Sequence, residues 1–246
     1  TGDLNALREG LYGRGTFASL AQDFPADIKL APLWGRPPTG QVTCDPDNNV
    51  YSVTYEALRD ILITVGMEAF GNSLEEMEEL LGSYSNVSHF VMAFYDTPYL
   101  LGDPNNDNVN ERWQMNRQTG EARIGRDLVR MFITVPEETE AHQQPFPVAF
   151  YGHGYTSSMI ESIGFGGLMA QHGLSTIGID AQGHGLGIDP LLKLAVEAIF
   201  SQRCLYGMSQ ALLTDRARDL NGDGVKDSAG IYWTSYVFHT RDVVRQ

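Results

Sequence analysis

The sequence predicts an α/β fold: a mainly parallel sheet, an antiparallel pair of strands ahead of it and a helical insertion behind it. Three observations carry this expectation. An apolar run, Val148 to Tyr151, stops at the turn Gly152-His153-Gly154. A second, Leu174 to Ile179, stops at Asp180 and another Gly-His-Gly at Gly183 to Gly185, and helix-like residues from about Ser157 to His172 separate the two. Short apolar runs joined by a helix are the sequence form of a βαβ unit, whose strands lie parallel. Both glycine turns then fall at the carboxyl ends of neighbouring strands, the edge where open α/β sheets place ligands and chemistry.

A chain of 246 residues can bury a full core. Acidic residues outnumber basic ones by 31 to 17, for a formal charge of −14, and no cluster of Lys or Arg rises above that background. Nucleic acid and anionic membrane surfaces are therefore not expected as partners. No apolar run approaches the ~20 residues that a spanning helix needs, so no transmembrane segment is expected either. The chain begins at Thr1 with neither Met nor a signal peptide, which suggests a processed, tagged or excerpted product.

Residues 1–50 read as irregular, punctuated by Pro25, Pro32, Pro37 and Pro38, and suit a wrapped N-terminal arm or the tail of an upstream domain. From Tyr55 the spacing turns helical at Leu58, Ile61, Leu62 and Val65. Ser73 with Glu76 forms a capping box before Met77, Leu80 and Leu81, and Gly82 stands where that helix stops. The run Glu75, Glu76, Glu78 and Glu79 is the wet face of the same helix. Residues 1–86 thus read as an extension with helices, and 87–246 as the core.

Residues 87–101, broken at Pro98, and 127–135 have the β-branched and aromatic content of strands and form the antiparallel edge. The polar loop 102–120 separates them, and an acidic linker, 136–147, leads to the central unit. After Gly185 come a helix marked by Leu191, Leu194, Ala195, Ala198 and Ile199, a candidate second helix at Leu205 to Leu213, and a polar loop from Asp215 to Gly230. A last helix begins near Thr234 and still runs at Gln246 without a stop signal, so the domain is expected to be incomplete.

Gly152-His153-Gly154-Tyr155 suits an oxyanion-hole turn. Acyl transfer builds negative charge on a carbonyl oxygen, and each donor aimed there before reaction is worth ~3 to 4 kcal/mol. Glycines let the main chain approach a substrate, and the N-terminus of the following helix adds its dipole. The expected donor is the Tyr155 N–H, presented by Gly154, with His153 bracing the loop.

Residues 145–185 resemble an α/β-hydrolase of the esterase/lipase kind. The family's strand ending in His-Gly appears as Phe150-Tyr151-Gly152-His153-Gly154, and its next strand, ending in Asp-x-x-Gly-His-Gly, as Asp180-Ala181-Gln182-Gly183-His184-Gly185. The resemblance implies a sheet of α/β-hydrolase type and carboxylic ester hydrolysis by a serine nucleophile, with a small-molecule ester or lipid as substrate. It also implies a cap or insertion at 186–232 and, at Ser235 to Gln246, the helix that leads to the nucleophile strand. The family's Gly-x-Ser-x-Gly elbow does not occur in the chain. Its nearest imitation, Gly207-Met208-Ser209-Gln210-Ala211, follows a poor strand. The nucleophile and its partners are therefore expected in a C-terminal remainder of the same protein, and this chain alone is expected to be inactive. Ser157 and Ser158 are expected to cap the helix after the turn.

Two alternatives stand beside this. Gly152-x-Gly154-x-x-Ser157 approximates a dinucleotide fingerprint, with Asp180 as its ribose-binding acid. The glycine turns can also serve only tight βα connections, in a non-catalytic binding module or pseudoenzyme.

In the polar loop, Asp219, Asn221, Asp223 and Asp227 occupy positions 1, 3, 5 and 9 of an EF-hand-type calcium loop, with Gly224 at position 6 and the Val225 carbonyl at position 7. The segment resembles the calcium loops of dockerins and thrombospondin-type repeats. Gly230 stands where a bidentate acid belongs, so Asp215, Asp242 or water has to complete the shell. A structural Ca²⁺ there fits a secreted, periplasmic or cell-surface protein. The clusters Asp45 to Asn49 and Asp103 to Asn108 are explained by turn chemistry. His89, His142, His172 and His239 lack metal-ligand spacing, and His184 reads as a loop brace. Cys44 and Cys204 form one long-range disulfide if the protein is exported, or stay as two buried thiols if it is not.

Overall fold

The computed structural model describes residues 2–35, 44, 50–102, 112–217, 226 and 228. Along the chain run α1 (Gly2–Leu11), α2 (Leu20–Asp23), β1 (Lys29–Leu30), β2 (Ser52–Thr54), α3 (Tyr55–Phe70), α4 (Leu74–Leu81) and β3 (Val87–Tyr99). There follow β4 (Leu101–Gly102), β5 (Arg112–Trp113), β6 (Gly125–Pro136), β7 (Val148–Gly152), α5 (Ile163–Ala170), β8 (Ser175–Ile179), α6 (Pro190–Ser201) and α7 (Tyr206–Leu213). The chain is α/β, as its sequence predicts.

The main sheet has the order β1-β3-β6-β8-β7, with β2 also paired to β3. Its backbone is the long antiparallel ladder of β3 and β6, running from Val87 opposite Pro136 to Tyr99 opposite Gly125. The sheet is not mainly parallel among the described residues: β7 and β8 form its one parallel ladder, and the other strands pair antiparallel. The cause is the position of β8. A βαβ crossover keeps β7 and β8 in one direction, and β8 then lies against β6, which runs the opposite way.

Local signals explain the helices that face this sheet. The Thr54 side chain accepts the Ala57 amide hydrogen at the start of α3, and Gly71 ends the helix in the left-handed conformation. Ser73 and Glu76 form the reciprocal capping box at α4. Their apolar faces bury Leu58, Ile61, Met77 and Leu81 in one cluster with Phe90 and Phe132 of the sheet. The rings of Phe90 and Phe132 stack with centroids 5.4 Å apart. Burying an aromatic of this size is worth about 2 to 3 kcal/mol. The Tyr84 hydroxyl donates to the Ile163 carbonyl and so fixes α5 against the same core.

Three elements differ from expectation. The stretch expected to be irregular contains α1 and α2, and β1 joins the sheet. Leu7, Phe17 and Leu20 of that stretch pack on Leu100, Leu101 and Trp113, forming a second cluster. The single helix expected over 157–172 is a 3-10 turn, Met159–Ser162, followed by the short α5. Finally, the run at β7 is only half covered. Val148 and Phe150 are 49% and 74% exposed, because they project from the sheet's last strand on the face opposite α5. Tyr151, on the other face, stacks on Phe165 of α5 with centroids 4.9 Å apart.

Candidate functional site

The two glycine turns lie at the carboxyl ends of β7 and β8, which run side by side with Gly152 opposite Ile179. The turn after β7 closes through a hydrogen bond from the Ser157 amide to the Gly154 carbonyl at 3.1 Å, with Tyr155 and Thr156 at its tip. Thr156 has φ +65°. A β-branched residue in the left-handed region costs on the order of 1 to 3 kcal/mol, and such strain collects at binding turns.

His153 fastens this turn to the next. Its Nε2 lies 3.0 Å from the Ala181 nitrogen, and its Nδ1 lies 2.8 Å from the Gly154 carbonyl oxygen. An amide nitrogen only donates and a carbonyl only accepts. Nε2 therefore accepts from Ala181 and Nδ1 faces the Gly154 carbonyl as donor, so both ring nitrogens are engaged within the two turns. His153 is a brace, as its place in the turn suggests.

The Gly154 amide is engaged as well. It donates to Glu161 Oε2 at 2.7 Å, so a carboxylate oxygen sits where an anionic oxygen would approach that donor. Tyr155 is exposed, and its ring packs edge-on against His184 at 6.3 Å between centroids. His184 is buried, and burial lowers its pKa below the ordinary histidine value. Its Nδ1 lies 3.1 Å from the Gln182 carbonyl oxygen, inside its own turn.

Beneath the turns Asp180 is buried, and its Oδ1 accepts the Met159 amide hydrogen at 2.7 Å. The strand-end carboxylate of one βα unit thus caps the 3-10 turn of the previous one. Burial pushes its pKa up to about 6, against the lowering effect of that hydrogen bond. The close approach is possible because Gly178 has no side chain: a Cβ there would lie 2.6 Å from Ser162 Oγ and 2.8 Å from the Met159 carbonyl oxygen. Ser158 caps the 3-10 turn at its own position, accepting from the Ile160 amide.

Arg216 ties the floor together. Its Nη1 donates to the Asp180 carbonyl at 3.1 Å, its Nη2 to Gln182 Oε1 at 2.7 Å and its Nε to Asp127 Oδ2 at 3.0 Å. Ser228 spans both turns, accepting from the Gly185 amide at 3.2 Å and donating to the Ser157 carbonyl at 3.3 Å. Gly185 has to be glycine, since a Cβ there would overlap the Asp215 side chain at 2.2 Å. Sequence reasoning missed Glu161, Arg216 and Ser228. Only Glu161 left a signal, as an acid in the first turn after a glycine loop.

Other expectations resolve differently. Ser209 is fully buried inside α7, and its Oγ donates to the Tyr206 carbonyl at 2.7 Å, so it is no nucleophile. The acid of the dinucleotide alternative, Asp180, is buried and accepts the Met159 amide hydrogen. Cys44 and Cys204 form a disulfide. The calcium-loop residues Asp219, Asn221, Asp223, Val225 and Asp227 lie outside the described residues, as does the expected helix at 234–246. Asp215, offered as a further calcium ligand, pairs with Lys226 Nζ at 2.9 Å. No helix among the described residues is long and apolar enough to cross a membrane. Set against family models, curated proteins and solved structures, the chain matches none of them.

Proposed function

We propose that this chain supplies the oxyanion side of a serine carboxylic-ester hydrolase acting on a small-molecule ester or lipid. The observation that carries the reading is the fastening of two glycine turns at the ends of parallel neighbours, through His153 and Ala181. Such a platform holds main-chain donors still while a carbonyl oxygen gains charge, and rigidity before reaction is what makes them effective. In this reading the Tyr155 N–H faces the developing oxyanion, and His153 holds the turn that presents it. Ser209 being buried, the serine, its base and its acid come from sequence outside these residues.

A structural calcium ion belongs to the same proposal. Asp219, Asn221, Asp223, Asp227 and the Val225 carbonyl would hold it. The Cys44–Cys204 disulfide supports an oxidising compartment, hence a secreted, periplasmic or cell-surface protein.

The test uses a short-chain p-nitrophenyl ester. The 246-residue chain alone is expected not to turn it over, and turnover lost in Ser209→Ala would sink the reading. In the natural polypeptide carrying this segment, Tyr155→Pro removes the donor. Tyr155 is the second residue of a turn with positive φ at the third, where proline is favoured. The expected result is a fall in kcat of roughly 10² to 10³ with KM little changed; an unchanged kcat overturns the assignment.

A further inference from the structure

Helix α6 carries apolar side chains on both of its sides. Val196 and Phe200 are buried, and Leu192 and Ile199 pack against the same core. The opposite side holds Leu191, Leu194, Ala195 and Ala198, and all four are exposed, the two leucines at 78% and 61%. These positions follow i, i+3, i+4 and i+7, so they form one continuous stripe about 10 Å long. No charge interrupts it. Lys193 and Glu197 lie off the stripe and pair with each other at 3.8 Å, and Glu197 also accepts from Gln210 Nε2 at 2.7 Å. A surface helix ordinarily turns polar side chains to water, so an apolar stripe on the wet side marks a contact surface.

We infer that this stripe pairs with the same stripe of a second copy of the chain, the two α6 helices lying antiparallel; the inference does not depend on the hydrolase reading. Side-chain size selects the occupant. The leucines hold the N-terminal half of the stripe and the alanines its C-terminal half. A two-fold axis between positions 194 and 195 sets Leu191 over Ala198 of the second copy and Leu194 over Ala195, so a large group meets a small one at every step. A parallel pair would oppose leucine to leucine and leave voids beside the alanines, which close packing disfavours. The alanines also let the helix axes approach to about 8 Å, and the dipoles of antiparallel helices attract. Lipid is the poorer occupant, because a membrane surface rewards large side chains along the whole stripe and anionic head groups would meet a formal charge of −14. The same charge repels two copies and the stripe is short, so the dimer is weak and salt strengthens it.

Analytical sedimentation of the 246-residue chain across the micromolar range reads the mass. A reversible monomer–dimer equilibrium is expected, tighter in about 0.5 M NaCl than in dilute buffer. Leu194→Arg puts a charge in the seam and is expected to weaken the dimer roughly ten-fold or more. Should that variant fail to fold, Leu194→Gln is expected to act in the same direction. Exchanging the sizes tests the antiparallel register. Leu191→Ala opens a void and Ala198→Leu overfills the place opposite, so each alone is expected to weaken the dimer roughly five-fold. The double variant sets large against small again and is expected to dimerise like wild type. A chain that stays monomeric at every concentration overturns the inference, as does a dimer indifferent to the substitutions at Leu194. A dimer that Ala198→Leu strengthens, or that the double variant does not restore, overturns the antiparallel pairing. So does a monomer that floats with phosphatidylcholine vesicles, because lipid then covers the stripe. A natural polypeptide carrying this segment that stays monomeric overturns it as well, because its own chain then covers the stripe.

Discussion

His153 and Ala181 belong to successive βα turns, and the imidazole Nε2 of the first accepts the amide hydrogen of the second at 3.0 Å. One ring thereby sets the spacing of both glycine turns, because its other nitrogen donates to Gly154 within its own turn. The side chain acts on geometry rather than on protons.

Removing that brace should cost stability directly. A net intramolecular hydrogen bond is worth about 1 kcal/mol, so His153→Ala is expected to lower Tm by roughly 2 to 4 °C. Amide exchange at Ala181 should accelerate in the variant while exchange in β3 and β6 does not. Unchanged protection at Ala181 would show that the ring does not fasten the turns.

Asp180 carries a pH dependence with a definite sign. Its carboxyl has a folded-state pKa of about 6 against an ordinary value of 3.8, because burial disfavours the charge. Between those values the folded state binds a proton that the unfolded state has lost. The contribution of this group is therefore fully present below about pH 4 and is lost as pH rises through about 6. The amide oxygen of Asp180→Asn can still accept from Met159 but bears no charge. Relative to wild type the variant should gain on the order of 2 to 3 kcal/mol between pH 4 and 7.5, read from urea midpoints. A gap that is constant or moves the other way refutes this.

Arg216 is the charge whose loss should be felt most. It is 10% exposed at the side chain and its partner Asp127 is 17% exposed, with Nη2 and Oδ2 2.8 Å apart. Breaking a pair this far from water leaves an uncompensated carboxylate, at a cost of about 3 kcal/mol or more. Arg216→Ala should lose that much in chemical denaturation. Arg216→Lys should recover little, because a single ammonium cannot reach Asp127, Gln182 and the Asp180 carbonyl together as the planar fork does.

The disulfide closes a sequence separation of 160 residues. Loop-closure entropy for that length corresponds to about 5 kcal/mol. Replacing both Cys44 and Cys204 by Ala is expected to cost 2 to 5 kcal/mol on that scale, and wild type in reductant should lose a like amount. A double variant as stable as wild type would show that the unfolded chain is not restrained by the link.

What the sequence determined by itself is local. The strands of the β3–β6 pair, the capping box of Ser73 and Glu76, the helix from Tyr55 and both glycine turns were all legible. Each depends on side-chain period, or on groups within a few residues of one another, and neither needs the rest of the molecule. The tertiary structure alone decided that β8 enters between β6 and β7, which leaves a single parallel ladder. It also decided which partners meet at the site. Asp180 caps Met159 across 21 positions, His153 reaches Ala181 across 28, and Arg216 reaches Asp127 across 89. No periodicity encodes such pairs. They form because strand order brings distant turns to one edge of the sheet, where buried charges and amides have to be satisfied by whatever lies within hydrogen-bond reach.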